Sequence, residues 1–431
     1  MSAVTSPRLS VGSADVRLLR AVTETAAAAV SAGVAGLGMM MPIGRSWVSP
    51  GSAMQVDLLI FNMPLALTIG ALISVIAVSV SCAIGNDRLA WCAVFCATAA
   101  MLVNHVLLVR LETRTLSTLN YVDSMLAGVI LGCLAAAVWQ RRAPAAGYLF
   151  GALTSILVAD LTPAPDGRTD ALRGAPPVWL IVAAIALMLF TAVLYRQGPG
   201  TEPDDSTVVP LKPVVAAVVI VTTILGTSVW LAHGVTVTTA VAAVAVLLAA
   251  TTVAALLLPG RDGLLVVVMV AFATAGSAVL VVPRPGWSTV PIVVIAGIAL
   301  YVGWRDRQPL RAVAGSVLLA IVGVAGAALV DDPSAVITVA GCLVVATVAG
   351  YTLGCAVGAH ATGAVVGIAV LFIPSAGVAL QGHDFGRVEY SQSWYRSAET
   401  TNSALPGIVS AVIALGCALV VLLVGRLRPA R

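Results

Sequence analysis

The feature that most constrains this chain is a succession of long apolar runs separated by short polar segments. A transmembrane helix needs about 20 mainly apolar residues, because the hydrocarbon core of a bilayer is about 30 Å thick and holds no water to pair the backbone. Fourteen such runs predict helices at 22–42, 57–84, 89–110, 116–139, 145–162, 176–195, 212–233, 235–258, 263–282, 287–304, 309–330, 334–357, 361–380 and 405–426. We therefore predict an all-α, polytopic transmembrane bundle of about 14 helices.

The composition excludes several other classes of protein. Only 10% of the 431 residues are charged, against about 25% in soluble globular proteins, so the lipid bilayer is the expected partner of the surface. The net charge of +4 is small and scattered, which does not indicate nucleic-acid binding. The seven cysteines lie in apolar runs without a histidine at metal-ligand spacing, so we expect neither a metal site nor another cofactor.

The basic residues indicate an orientation. With a cytoplasmic N-terminus and alternating helices, most of them, including Arg141 and Arg305, fall on the cytoplasmic side, as the positive-inside rule requires. The even number of helices returns the C-terminus to the same side. Residues 1–20 are polar and are not followed by a short apolar core with a cleavage site, so a cleaved signal peptide is not expected. We predict a multi-pass protein of the plasma membrane with both termini cytoplasmic, and the excess of Arg over Lys favours a bacterial genome rich in GC.

Two longer polar segments divide the chain. Segment 196–211 is rich in Gly and Pro, as flexible connectors are. The outer loop 381–404 carries aromatic residues that either anchor it at the membrane surface or cap a cavity. We predict a cytoplasmic tail at 1–20, a six-helix bundle at 21–196, a linker with two extra helices at 197–260, and a second six-helix bundle at 261–431.

Two short turns contain the same acid–base pair and lie between apolar runs. The first is at 85–88, between the second and third predicted helices, and the second is at 303–311, between the tenth and eleventh. This repetition indicates that one helical hairpin occurs twice and that the two halves of the protein correspond.

With fourteen helices and both ends inside, the pattern resembles the fourteen-helix drug:proton antiporter branch of the major facilitator superfamily. That family carries a cytoplasmic Gly-x-x-x-Asp-Arg-x-Gly-Arg-Arg/Lys signature after its second helix and a weaker copy in the other half. Asp87 and Arg88 match the acid–base pair of the first copy, and Asp306, Arg307 and Arg311 match the second, whereas the glycines of the signature are not matched. The resemblance implies a transporter in which these five residues form gating turns and two extra helices join the halves.

Ionisable side chains inside membrane spans are costly and often mark a transport pathway. The candidates for transport or coupling are Glu24, Asp57, His105 and Asp123, with Asn120 and Tyr121 beside Asp123. Glu24 and Asp57 lie near predicted helix starts, where the helix dipole favours an acid. We expect His105 to be an interhelical hydrogen-bond partner rather than a proton relay.

Asp123 is the strongest candidate because it lies about two turns into the fourth predicted helix, next to polar neighbours. A carboxylate there is partly shielded from water and can exchange protons with one side of the membrane. The alternative is a structural ion pair with Arg110 or Arg114 at the outer surface.

Three functional classes remain open, and enzymes are not among them. No His-Glu-x-x-His motif, phosphate-binding loop or serine–lysine dyad is present, and the first outer loop, 43–56, has no acid. We predict a secondary transporter, exporting an amphipathic or lipid-like small molecule, because the spans contain too few charges to hold a strongly charged cargo. The alternatives are a flippase for lipid-linked sugars and a non-catalytic membrane subunit of an envelope assembly, with a membrane-protein partner that the sequence does not identify.

Overall fold

The computed structural model describes residues 11–41, 53–106, 116–160, 176–195, 210–233, 236–279, 285–329, 335–380 and 404–427. Helices account for nearly all of these residues, which confirms the predicted all-α class. The linker 197–209, residues 381–403 of the outer loop, and Arg110 and Arg114 lie outside the described residues.

Fourteen long helices and one short helix follow each other along the described chain. They are α1 (Val11–Met40), α2 (Ala53–Ile84), α3 (Asp87–Val106), α4 (Leu116–Val138), α5 (Arg142–Asp160), α6 (Val178–Tyr195), α7 (Leu211–His233), α8 (Val237–Leu257), α9 (Gly260–Val279), α10 (Thr289–Asp306), α11 (Pro309–Leu329), α12 (Ala335–Ala356), α13 (Ala361–Phe372), α14 (Ala376–Ala379) and α15 (Leu405–Leu427). A single 3₁₀ turn, Gly286–Ser288, precedes α10.

Most of these helices are suited to a bilayer. Twelve helices in the described part of the chain are long and apolar enough to cross it, and α6 and α11 contain shorter apolar segments, Val178–Val193 and Pro309–Ala325. The predicted bounds agree to within a few residues, because an apolar run in lipid must pair its backbone within one helix. The largest difference is α1, which begins at Val11 instead of residue 22 because its first turns are polar and give no hydropathy signal.

The predicted helix 361–380 is interrupted rather than only kinked. Pro374 has no N–H group to donate to a carbonyl one turn earlier, and Ile373 and Ser375 on either side of it are extended. The Ser375 hydroxyl caps the short helix α14, and Ser228 of α7 donates a hydrogen bond of 2.6 Å to the Pro374 carbonyl. Side-chain hydroxyls therefore satisfy polar groups at a break that is buried in the bundle.

The same packing pattern occurs twice along the chain. In the first half α1 packs against α4, α5 and α6, α2 against α4, and α3 against α4 and α6. In the second half α9 packs against α12, α13 and α15, α10 against α12, and α11 against α12 and α15. Each of these contacts of the first half has its counterpart in the second, whereas the packing of α9 against α11 has no equally extensive counterpart in the first. The bundle therefore consists of two related six-helix halves. The domain limits at 21–196 and 261–431 stay a prediction.

The two halves meet symmetrically. The second helix of each half packs against the fifth helix of the other, as α2 with α13 and α5 with α10. Because α1 and α9 begin at the same end of the bundle, the pseudo-twofold axis runs along the membrane normal, as in a parallel repeat. Helices α7 and α8 fall outside the repeat; α7 packs on α2 and α13, and α8 packs on α9 and α15.

A pair of glycines brings two helices close together in each half. A Cβ atom added to Gly128 or Gly132 of α4 would collide with backbone carbonyls of α2, and one added to Gly350 or Gly354 of α12 would collide with carbonyls of α10. Small residues four positions apart are a common way for membrane helices to approach, since lipid supplies no hydrophobic drive for association. The two halves therefore share a packing device as well as a contact pattern.

The described Arg and Lys residues all lie at one end of the bundle, which we call the Arg-rich end. It contains the starts of α1, α3, α5, α7, α9, α11 and α13, the ends of the helices that precede them, and the end of α15. Its basic residues are Arg17, Arg20, Arg88, Arg141, Arg142, Lys212, Arg261, Arg305, Arg307, Arg311 and Arg426. Both acid–base turns therefore lie on this side of the protein.

Candidate functional site

A buried carboxylate lies between α3 and α4, far from the Arg-rich end. The Asp123 side chain is fully buried, and its Oδ2 lies 2.5 Å from Nε2 of His105. Its Oδ1 accepts a hydrogen bond of 2.6 Å from Asn104, which also donates to the backbone carbonyl of Leu119. Since α3 and α4 run antiparallel, the last turn of α3 lies beside the second turn of α4. Both carboxylate oxygens are thus engaged by neighbouring side chains of one helix.

Several polar atoms near Asp123 lack a partner among the described residues. They are the side-chain oxygens of Asn104, Asn120 and Ser124, all of them buried. Asn120 and Ser124 are one turn apart on α4, so they share a face that continues to Asp123. Buried polar atoms are nearly always paired, and those without a protein partner often bind water or a ligand. This polar patch around Asp123 can therefore accept further hydrogen bonds.

The other predicted members of this region are arranged around the same helices. Tyr121 is half-buried, and its hydroxyl lies 3.4 Å from Asn62 Oδ1 on α2. His105 lies between α3 and α4, and its partner is the principal candidate acid itself. Asp57 lies in the second turn of α2, and its side chain lies outside the described part of the chain.

A second polar site occupies the Arg-rich end of the first half. Arg141, in the turn between α4 and α5, forms an ion pair with buried Glu24 of α1, and its Nη2 lies 3.7 Å from Asp87 Oδ2. Explaining Glu24 by the dipole at a helix start is wrong, since α1 begins three turns earlier, at Val11. The deeply buried Glu24 carboxylate is instead stabilised by the Arg141 guanidinium, which reaches it from the α4–α5 turn.

The second half contains a similar pair at the equivalent place. Asp262 in the first turn of α9 is buried, and its Oδ2 lies 2.7 Å from Nδ1 of exposed His360, in the turn between α12 and α13. A Cβ atom at Gly358 or Gly363 would collide with the Asp262 side chain, so the glycines leave the space that this acid needs. In both halves an acid of the first helix thus meets a base in the turn before the fifth helix.

The two acid–base turns differ in detail. In the first, Asn86 caps α3 by accepting hydrogen bonds from two backbone N–H groups, Asp87 follows in the first helical turn, and Arg88 is exposed. In the second, Asp306 is the last residue of α10, and Arg307 has a left-handed conformation that ends the helix.

The Asp306 carboxylate has two partners at the end of the second half. Its Oδ2 accepts hydrogen bonds from Tyr351 of α12, at 2.5 Å, and from Arg311 of α11, at 2.8 Å. This acid therefore ties together the ends of α10 and α12 and the start of α11.

Hydrogen bonds join these clusters across the Arg-rich end. Trp139 Nε1 donates to the carbonyl of Ala359 at 3.0 Å, which links the α4–α5 turn of one half to the α12–α13 turn of the other. Arg261 donates to the carbonyl of Arg307 at 3.0 Å, which links the α8–α9 turn to the α10–α11 turn. We call this set of contacts the end network; it connects the two halves directly.

Sequence reasoning did not find the partners in the end network. Asp262 lies between two predicted helices and Tyr351 lies within the predicted helix 334–357, and neither was a candidate residue, because both pairings join residues far apart in sequence. The available signal was that Glu24 and Asp262 both lie within two residues of a predicted helix start, 22 and 263, in the first helix of each half. Among the described residues, no three metal-ligating side chains come together.

Comparisons with known proteins give only distant likenesses, all of them to solved structures. No protein-family model matches the sequence, and no curated protein matches it. Among solved structures, the chain is similar to a crystal structure of the E. coli fucose:proton symporter FucP, a single-residue variant, with 13% sequence identity, 95% of this chain and 98% of that chain covered, and a TM-score of 0.44. The description of the fold therefore rests on the helix packing within this chain.

Proposed function

We propose that the protein is a proton-coupled secondary transporter of the plasma membrane, carrying an amphipathic or lipid-like small molecule. The observation that carries the proposal is the fully buried Asp123–His105 pair, surrounded by polar atoms with unused hydrogen-bonding capacity. Burying an ionisable pair inside a membrane span costs free energy, and helix packing alone does not need such a pair. The pair is therefore a functional candidate. The two parallel six-helix halves with an inserted helix pair support the resemblance to the fourteen-helix branch of the major facilitator superfamily.

The coupling step takes place between two atoms. A proton reaching the site from the side opposite the Arg-rich end is held between Asp123 Oδ2 and His105 Nε2, which are 2.5 Å apart. Uptake of this one proton changes the net charge of the Asp123–His105 pair from −1 to 0, and so changes the interaction that holds α4 to α3 at this point. The position of α4 relative to α3 thereby depends on proton binding. A coupled conformational change requires that the proton interact differently with the two conformations, and this pair meets that requirement.

The end network serves as the gate on the other side. Trp139 and Ala359 form a contact that crosses between the halves, and it lies between the ion pairs of Arg141 and His360. Rocking of one half against the other about the bilayer midplane would break this crossing hydrogen bond and leave the ion pairs within each half intact. Asp87, Arg88, Asp306, Arg307 and Arg311 then act as parts of the rigid turns that border the gate.

Orientation and cargo follow from the distribution of charge. All described Arg and Lys residues lie at the Arg-rich end, so we assign that end and both termini to the cytoplasm. In the described spans the polar groups near Asp123 are mostly neutral, which suits a cargo that forms hydrogen bonds and carries a large apolar part.

Vesicle transport tests the proposal directly. Purified protein is first screened against amphipathic compounds, and those that raise its melting temperature are taken as candidate cargo. Proteoliposomes with an internal pH dye then report proton movement when a candidate is added. We expect cargo movement and proton movement to appear together and to reverse with the pH gradient. Cargo movement without proton movement would contradict coupling, and binding without any movement would favour the non-catalytic envelope subunit.

A further inference from the structure

An apolar groove runs along the outside of the second half, between α10, α11 and α12. Its volume is about 300 Å³, and its lining includes Ile298 and Val302 of α10, Gly315 of α11, and Val348 and Tyr351 of α12. The space exists partly because residue 315 has no side chain. Helices α10 and α12 pack closely through the glycine pair of α12. The groove follows the line where α11 lies beside these two helices.

The groove faces the bilayer rather than the interior of the bundle. The side chains of Ile298 and Val302 at its edge are 59% and 48% exposed. In a membrane protein such surface contacts lipid tails, so an acyl chain is the molecule that reaches the groove without crossing any barrier.

Basic side chains border the groove where it meets the Arg-rich end. Arg305 is exposed one turn beyond Val302, with its guanidinium 4.8 Å from the centre of the Tyr301 ring. Arg311 is exposed at the start of α11, directly before the groove-lining part of that helix. Between them Asp306 is already engaged by Tyr351 and Arg311, so the border of the groove carries net positive charge.

We propose that this groove binds an acidic phospholipid, with one acyl chain against Gly315 and Val348 and the phosphate near Arg305 and Arg311. Basic residues beside grooves on the cytoplasmic side of membrane proteins recognise anionic headgroups, which supports this occupant. A helix from a second copy fits less well, because a helix is about 10–12 Å across and a volume of 300 Å³ holds less than one turn of it. The site does not depend on the proposed transport activity.

Filling the groove is the first test. In Gly315→Leu, the new Cβ lies at ordinary contact distance from Val348, 3.4 and 3.6 Å from its methyl carbons, so the backbone can stay while the rest of the side chain enters the groove. The matched control is Ala314→Leu, which adds a similar side chain to an exposed position of α11 outside the groove. Native mass spectrometry of the full chain in mild detergent, with equal amounts of phosphatidylglycerol, phosphatidylethanolamine and phosphatidylcholine, measures the bound lipid.

We expect a one-to-one phosphatidylglycerol complex in the wild type and in Ala314→Leu, and its loss in Gly315→Leu. Arg305→Gln should weaken phosphatidylglycerol binding about fivefold, because one arginine near the surface contributes about 1 kcal/mol toward an anionic lipid. Arg426→Gln, at the same end on α15, should leave binding unchanged. Equal binding of the three lipids, an equal effect of the two arginine changes, or undiminished binding by folded Gly315→Leu would overturn the proposal.

Discussion

Replacing Asp123 with Asn separates a coupling role from a structural one. Asn has nearly the same shape, and its amide can still accept the hydrogen bond from Asn104 and donate one to a neutral His105. It cannot take up a proton. The change therefore removes the proposed chemistry while keeping the packing between α3 and α4.

The expected effect on stability is small. Two hydrogen bonds to a charged group, at about 1.5–3 kcal/mol each, become two neutral ones at about 0.5–1.5 kcal/mol each, a loss of about 2–3 kcal/mol. Against this stands the cost of keeping a carboxylate fully buried, which is several kcal/mol and disappears in the variant. The two terms oppose each other, so we expect the unfolding free energy to change by no more than about 2 kcal/mol in either direction.

The expected effect on transport is large. In proteoliposomes with a pH gradient, Asp123→Asn should reduce cargo accumulation to the level of empty vesicles, whereas exchange of cargo at equal pH on both sides should continue. Asp87→Asn is the comparison, since it removes the same charge from the end network at the other side of the bundle; it should change the rate of transport through the gate but keep cargo accumulation coupled to the pH gradient. The reasoning is refuted if Asp123→Asn still accumulates cargo against its gradient with normal proton movement. Equal destabilisation by Asp123→Asn and His105→Gln, with normal turnover per folded molecule, would identify a purely structural pair.

Three further predictions concern stability and topology. Arg141→Gln removes the guanidinium that pairs with the buried Glu24 carboxylate. This should cost about 2–4 kcal/mol, near the lower part of the range for broken buried pairs because Arg141 is partly exposed, whereas the neighbouring exposed Arg142→Gln should cost less than about 0.5 kcal/mol in the same thermal unfolding assay. Gly363→Ala places a methyl group against the buried Asp262 side chain of α9 and should destabilise the protein by about 1–3 kcal/mol. Gly226→Ala, whose methyl group meets no atom within 4 Å, should be neutral or stabilising, and equal effects of the two changes would contradict the crowding argument. A reporter fused to the C-terminus should be active only in the cytoplasm, and activity restricted to the outside would reverse the assigned orientation.

Much of the fold is predictable because a bilayer leaves an apolar segment only one way to pair its backbone. The interruption of α13 is the exception, since Pro374 predicts a disturbed helix but not the extended residues on either side of it. The duplication was visible in the turns at 85–88 and 303–311, although the contacts that establish it are tertiary. The Gly128 and Gly132 pair and its counterpart in α12 belong to the same repeat and were not used in the prediction.

The candidate site was predictable only as a set of residues, without their partners. Asp123 stands out in the sequence because a carboxylate in a span is rare, yet its pairing with His105 depends on how far α3 and α4 overlap. Glu24 was interpreted through a helix start that lies elsewhere, because the polar first turns of α1 have no apolar signature. The pairing of Asp262 with His360 requires knowledge of which turns meet, which local sequence does not contain.

In the proposed transport cycle the two halves move apart at the Arg-rich end, and proton binding at Asp123 controls this movement. Spin labels on Arg142→Cys and Gln308→Cys, two exposed positions in different halves, report the separation by pulsed electron paramagnetic resonance in a background without the native cysteines. The account predicts two distance populations whose ratio changes with pH in the wild-type background and no longer changes in Asp123→Asn, with the longer distance favoured when Trp139→Phe removes the crossing hydrogen bond. A single unchanged distance under all of these conditions would contradict it.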